Sequence, residues 1–275
     1  VTSGLMRRKD VIFQDKLNHA SLIDAAKLSD AKFVRYRHGD TAQLSRLLDQ
    51  HNDSSVRRMI MADAVFSMDG DLADVLELSA LAEKTQSWLM LDDAHGIGVL
   101  GETGAGICEM NGLSQSEVPI LMSTLGKAVG VSGAFVAGSE TLIETLIQNS
   151  RSYIYTTASP PAQAAAIMKS IRIIREHSWR RAKLRELIAY FKQQAYKHDL
   201  ELMPSDTAIQ PLMVGENHKA LSISQKLFEQ GIHVTAIRPP TVPENTARLR
   251  ITLSALHEKE HIDRLIYTMV RILST

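Results

Sequence analysis

Trp88-Leu89-Met90-Leu91-Asp92-Asp93-Ala94-His95-Gly96 is a short apolar run that ends on two carboxylates and a histidine just before a glycine. A run this short, stopped by turn residues, reads as a buried strand and not as a helix. Runs of the same kind stand at residues 32–36, 59–66, 120–124 and 133–137, and Val11-Ile12-Phe13 supplies another almost at the start of the chain. Between them the spacing is helical. Asp40 is expected to cap a helix carrying Leu44, Leu47 and Leu48, and Leu72, Val75, Leu78 and Leu81 recur at three-residue steps. Strands alternating with amphipathic helices predict an α/β fold with a mostly parallel sheet, and strands this apolar are expected to be covered on both faces.

The last third changes character. Residues 160–198 are helical for longer than one ordinary globular helix, so a break is expected near His177 and Ser178. A strand at 209–214, a helix at 219–230 stopped by Gly231, strands at 233–237 and 248–253, and a final helix follow. That helix places Ile262, Leu265, Ile266, Met269 and Leu273 on one stripe. The pattern predicts a large domain over residues 1–175 and a small α+β domain over 176–275. Because the opening stretch reads as the interior of a domain and begins on Val1, an N-terminal portion of the large domain is expected to be missing.

With 275 residues, 44% of them hydrophobic and 23% charged, the chain can bury one large core or two modest ones. A formal net charge of zero offers no electrostatic reason to expect nucleic acid or a membrane surface as partner, so small-molecule ligands are expected. The single cysteine, Cys108, cannot form an internal disulfide, and no signal-peptide pattern is present, which together point to the cytoplasm. No apolar run approaches the roughly 20 residues needed to span a bilayer.

Three segments at predicted strand ends carry the chemistry. Asp92, at the end of a buried strand, suits pairing with a protonated pyridine nitrogen, and His95 suits a hydrogen bond to a phenolic oxygen; the plainer alternative is a capped turn. Ser123-Thr124-Leu125-Gly126-Lys127-Ala128-Val129-Gly130 brackets a lysine with glycines just after a strand. A lysine amine can condense with an aldehyde, and Thr124 is placed to donate its hydroxyl to a phosphate. The segment lacks the upstream glycine and the following Ser or Thr of a P-loop. In Asp63-Ala64-Val65-Phe66-Ser67-Met68-Asp69-Gly70 a strand runs into a turn from which Ser67 can reach the same ligand. These are the residue types that pyridoxal 5'-phosphate needs.

In this order the motifs resemble the α-oxoamine synthases, a group within the aspartate-aminotransferase-like, fold-type I pyridoxal-phosphate enzymes. Asn18-His19-Ala20-Ser21, Val65 to Gly70, Asp92 to Gly96 and Ala236-Ile237-Arg238-Pro239-Pro240-Thr241-Val242-Pro243 carry the likeness, which covers essentially the whole chain. The last motif favours the branch that joins L-alanine to a pimeloyl thioester in biotin biosynthesis, with loss of carbon dioxide and free thiol. An aminoketobutyrate-ligase type of the same group is the alternative.

The resemblance implies that Lys127 carries the cofactor as a Schiff base and serves as the proton-transfer base. It implies that His19 stacks on the ring, that Asp92 meets its nitrogen, and that His95 and Ser67 contact its oxygen side. Thr124 would bind phosphate, and Thr156 and Thr157 the phosphate of the partner subunit, so the active site would be shared across a homodimer. Thr241 and Arg250 would contact substrate, Arg250 as a clamp on the amino-acid carboxylate, with Arg238 a second candidate. The acyl donor would ride on coenzyme A or on an acyl carrier protein. The plainer readings make His19 a neighbour of a helix cap, Thr156 and Thr157 ordinary strand residues, and Arg248 and Arg250 the solvated face of a strand.

Other motifs compete. Gly96-Ile97-Gly98-Val99-Leu100-Gly101 matches a dinucleotide fingerprint and would signal an NAD-dependent oxidoreductase if it opened a helix. His257-Glu258-Lys259-Glu260-His261 matches a zinc-protease pattern, but no distant third ligand follows it, and both histidines are expected exposed at the start of the final helix. A non-catalytic truncated paralogue that keeps the fold is the remaining reading.

Overall fold

The computed structural model describes residues 1–274, which divide into two compact units: Val1–Phe66 with Ala73–Glu176, and Ser67–Leu72 with the chain from His177 onward. In chain order the first unit contains α1 (Thr2–Leu5), β1 (Val11–Asp15), α2 (Ala20–Leu28), β2 (Lys32–Tyr36), α3 (Thr41–Gln50), β3 (Arg58–Asp63), α4 (Val75–Lys84), β4 (Trp88–Asp92) and α5 (Ile107–Asn111). It continues through β5 (Ile120–Thr124), β6 (Ala134–Ala137), α6 (Glu140–Asn149), α7 (Arg151–Ile154) and α8 (Pro161–Glu176). Its strands form one six-stranded sheet in the order β2-β1-β3-β4-β5-β6, parallel except for β6. The predicted mostly parallel sheet is therefore present.

Burial on both faces holds for the centre only. Every residue of β1 is buried, as are all but the first of β3 and β4, whereas β2 and β6 are edge strands with exposed residues. On one side, Leu5, Leu22, Ala26, Met59, Met61, Met90, Ile120 and Leu146 pack into a continuous core.

Two predicted boundaries move, each because a side chain takes over a backbone group. The strand expected to reach Phe66 stops at Asp63, whose N–H is captured by Asn18 Oδ1 at 3.1 Å. The helix expected to include Leu72 starts at Val75, where the Asp74 carboxylate accepts from Glu77 N at 3.1 Å. Asp40 caps α3 as expected, accepting from Gln43 N at 2.7 Å.

The second unit holds α9 (Trp179–Lys197), β7 (Ile209–Gly215), α10 (Asn217–Glu229), β8 (Thr235–Ile237), β9 (Ala247–Thr252) and α11 (Lys259–Leu273), with an antiparallel sheet ordered β7-β9-β8. The helical break falls between Glu176 and Trp179. Gly231, at φ +73, follows the end of α10 in the left-handed conformation that closes helices. β8 is shorter than predicted: the Val234 carbonyl accepts from Ser224 Oγ at 2.6 Å instead of joining the ladder. On α11 the stripe Ile262, Leu265, Ile266 and Met269 is buried, while Leu273 is exposed. Among the described residues no helix is long and apolar enough to cross a membrane.

Candidate active site

In parallel strands paired in register, side chains point to the same face. Asp63 is in register with Asp92, so β3 and β4 end on two carboxylates side by side. Both are buried, at 4% and 6% exposure. Taking a carboxylate out of water disfavours its charge. Burial accordingly raises Asp92, with Lys127 and His19 pulling the other way as nearby cations. Burial and the Asp92 charge push Asp63 up to about 8. Asp63 Oδ1 is buried with no hydrogen-bond partner, and Asp92 Oδ1 accepts from Ala94 N at 3.0 Å.

The predicted lysine meets this edge. Beyond β5 the chain makes a closed loop back into β6, pinned by Leu125 N to Gly133 O at 2.8 Å and Gly130 N to Lys127 O at 2.9 Å. Lys127 Nζ stands on that loop 2.7 Å from His95 Nε2. At this distance the two nitrogens share one hydrogen, so one of the pair must be neutral. Thr124, at the foot of the loop, donates its hydroxyl to Gly133 O at 3.1 Å and accepts from Gly126 N at 3.2 Å.

His19 is the N-cap of α2, and its Nδ1 accepts from Ser21 N at 3.3 Å and lies 2.8 Å from Ser21 Oγ. The capping reading and the site reading of His19 are thus compatible. Asn18 Nδ2 donates to Met61 O at 2.8 Å, and Asp63 Oδ2 accepts from His19 N at 3.0 Å. Lys127, His95, Asp92, His19 and Thr124 therefore gather at the carboxyl ends of the parallel strands. Sequence reasoning missed Asn18, Ser21 and Asp63 as builders of this edge, although all three lay in quoted segments.

Thr156 and Thr157 are not strand residues: they lie exposed on the connection between α7 and α8, where no ladder is available. In the second unit, neither predicted arginine of β9 faces open water. Arg248, 4% exposed, is ion-paired with Asp69 and donates through Nε to Thr246 O at 3.1 Å. Arg250 is half-buried, donating through Nε to the Ser67 carbonyl at 2.5 Å and through Nη1 to Thr252 Oγ1 at 3.4 Å. Arg238 and Thr241 lie exposed on the loop after β8, which contains a cis Pro239-Pro240 bond.

The competing motifs resolve structurally. Residues 96–101 form successive turns, and the next helix, α5, begins only at Ile107, so these glycines do not open a dinucleotide-binding helix. Of these, Gly96 makes room for Asp93, as does Gly106 further along the chain. Asp93, wholly buried, accepts from Ile107 N at 2.8 Å, and a Cβ at Gly96 or at Gly106 (φ +88) would come within 1.9 Å of its carboxylate oxygens. Burial pushes Asp93 up to about 7. His257 Nδ1 accepts from Ser254 N at 3.1 Å and His261 Nδ1 from Glu258 N at 3.0 Å, the latter completing a capping box. His257 precedes α11 and is only partly exposed; His261 is exposed on its first turn.

A primary amine, an imidazole, a strand-end hydroxyl and a buried carboxylate are groups suited to the aldehyde, phenol, phosphate and pyridinium of pyridoxal 5'-phosphate. With a mostly parallel sheet behind them, they define a fold-type I pyridoxal-phosphate enzyme. The comparisons agree. Residues 2–268 match the model of the family "Aminotransferase class I and II". An 8-amino-7-oxononanoate synthase of Saccharophagus degradans is 52% identical over 273 residues, covering 99% of this chain and 68% of its own length. An 8-amino-7-oxononanoate synthase structure from Francisella tularensis aligns with a TM-score of 0.86 at 32% identity, over 99% of this chain and 78% of that one. A serine palmitoyltransferase from Sphingomonas wittichii gives 0.93 at 28% identity, over 99% and 69%. The chain belongs to the 8-amino-7-oxononanoate synthase family of class I and II aminotransferase-like proteins, and spans about two thirds of the length of the first of these relatives.

Proposed function

We propose that this chain catalyses the pyridoxal 5'-phosphate-dependent condensation of L-alanine with a pimeloyl thioester, giving 8-amino-7-oxononanoate, carbon dioxide and free thiol in biotin biosynthesis. The chain is an acyltransferase of small-molecule substrates, and the observation that carries the reading is the Lys127–His95 contact beside the buried carboxylate of Asp92. When bound, the cofactor supplies an aldehyde for amines and a ring that withdraws electrons from the substrate Cα.

Lys127 is the residue to hold the cofactor. Its amine would also be the base that takes the Cα proton of alanine and later returns one. His95 orients that amine through the shared hydrogen and shields it from wandering. Asp92 would hold the proton of the cofactor's pyridine nitrogen, a positive charge that would offset the desolvation burial imposes on its carboxylate. His19 would hold the ring face, Ser67 and His95 would serve its oxygen side, and Thr124 would bind the phosphate. Arg250 takes the alanine carboxylate, with Arg238 and Thr241 beside the acyl substrate. Cα attack on the acyl carbonyl carbon expels the thiol, and the alanine carboxylate leaves as carbon dioxide.

The first domain, residues 1–175, is the cofactor-binding part and residues 176–275 the small domain. A cytoplasmic homodimer completes the reading, with Thr156 and Thr157 serving the partner's phosphate and an acyl carrier protein or coenzyme A presenting the pimeloyl group. The exposed apolar side chains Tyr153, Ile154, Tyr155, Met168 and Ile171 along α7 and α8 support a covering subunit there.

Borohydride reduction of the protein with pyridoxal phosphate, followed by peptide mapping, is expected to place the label on Lys127. Thiol release is expected only when both L-alanine and a pimeloyl thioester are present. A label elsewhere, or thiol release indifferent to alanine, refutes the reading.

A further inference from the structure

The sheet of the first unit reverses its winding at β1: the chain passes to β2 on one side and then to β3 on the other. The crevice beyond the carboxyl ends of such a pair is where doubly wound sheets take their ligands. Asp63 ends β3 at that crevice. Its backbone N–H is held by Asn18, its Oδ2 holds the backbone N–H of His19, and its Oδ1 is left buried without a partner. The imidazole of His19 is secured separately by Ser21. Two anchors therefore fix one ring: a carboxyl group on its main chain and a serine at its Nδ1.

We propose that Asp63 is a positioning residue that sets where the His19 imidazole stands in the cofactor site, through its hydrogen bond to the His19 N–H. This rests on the reading of His19 as a residue facing the cofactor ring. The charge state follows from the same geometry. Asp92 on β4 and Asp15 on β1 oppose a second negative charge at Asp63, while Lys127 and the His19 N–H favour it, and burial outweighs them. Near neutral pH Asp63 therefore keeps its proton, acting as a neutral acid whose oxygen still accepts from His19.

An asparagine at position 63 preserves shape, neutrality and the acceptor, whereas alanine removes the anchor. The full chain reconstituted with pyridoxal phosphate is titrated for cofactor Kd and for the visible circular dichroism of the bound cofactor. Asp63→Ala is expected to raise Kd about tenfold, as loss of one buried hydrogen bond with its ordering does, and to alter the dichroism. His19→Ala is expected to do the same, and the double variant to be no worse than the weaker single, because one residue acts through the other. Asp63→Asn is expected to restore both readouts. Should Asp63→Ala not fold, Asp63→Ser, too short to reach the His19 N–H, takes its place. An effective His19→Ala with a silent Asp63→Ala overturns the inference alone, as do additive losses or an Asp63→Asn as impaired as alanine. A silent His19→Ala overturns it together with the reading of His19.

Discussion

The end of β4 and the length of β9 each carry a pair of like charges, and each pair splits between two jobs. Asp92 and Asp93 are consecutive, so the strand's alternation sends them apart. Asp92 turns toward Lys127 and His19, while Asp93 turns inward and accepts the backbone of a turn-rich loop. Arg248 and Arg250 are two apart and share a face, yet Arg248 is spent on Asp69, and Arg250 uses its Nε on a carbonyl and one Nη1 bond on Thr252. Period alone separates the acids; only the available partner separates the arginines. Asp93 accepts the loop backbone and Arg248 pairs with Asp69, while Asp92 and Arg250 are the members proposed for the chemistry.

Substitution should break each pair asymmetrically. Asp92→Asn is expected to lower kcat by about 10³-fold with Tm almost unmoved, since it removes the group holding the ring proton; steady-state kinetics beside a thermal melt checks it, and an unaltered kcat refutes the assignment. Arg248→Ala breaks the largely buried ion pair with Asp69 and should cost about 3–5 kcal/mol in denaturant unfolding. Arg250→Ala should instead raise the KM for alanine about 10- to 100-fold at little cost in stability, the loss of a charge-assisted clamp. A stability loss equal to that of Arg248→Ala would erase the contrast.

Acidity offers a gentler probe. Asp63 and Asp93 have folded values of about 8 and about 7, above the ordinary carboxylate value of the unfolded chain. Between those limits the folded state holds protons that the unfolded state has lost, so stability is greatest at acidic pH and declines as pH rises toward 8. Melts of cofactor-free protein from about pH 5 to about pH 8 should show Tm falling, and Asp63→Asn should flatten the slope. The smallest effect is expected at His261→Ala, which removes one side of a capping box for about 1 kcal/mol and leaves activity intact.

Much of this was legible in the sequence because hydrophobic period and strand-end chemistry are local. Lys127 between glycines, Asp92 after an apolar run and the break before Trp179 all declare themselves within a few residues. What was not legible is pairing. Asp63 becomes notable only once β3 lies beside β4, and Gly96 looks like the start of a nucleotide loop until Asp93 fills the space a Cβ would need. The histidines 257 and 261 mimic a metal pair by their spacing, but His257 accepts from Ser254 N and His261 belongs to a capping box with Glu258. Strand ends moved where side chains, Asn18 and Ser224, outcompeted the ladder for one backbone group.

Lys127 is mounted on a hairpin whose two feet are hydrogen-bonded into the same sheet, unlike a residue on a free crossover. Its main chain is thus a fixed pivot, and any journey the amine makes between bound and released positions is swept out by four methylenes alone. The reach of the reaction is then a matter of arm length, which a one-carbon-shorter or one-atom-altered side chain would change without disturbing the mount.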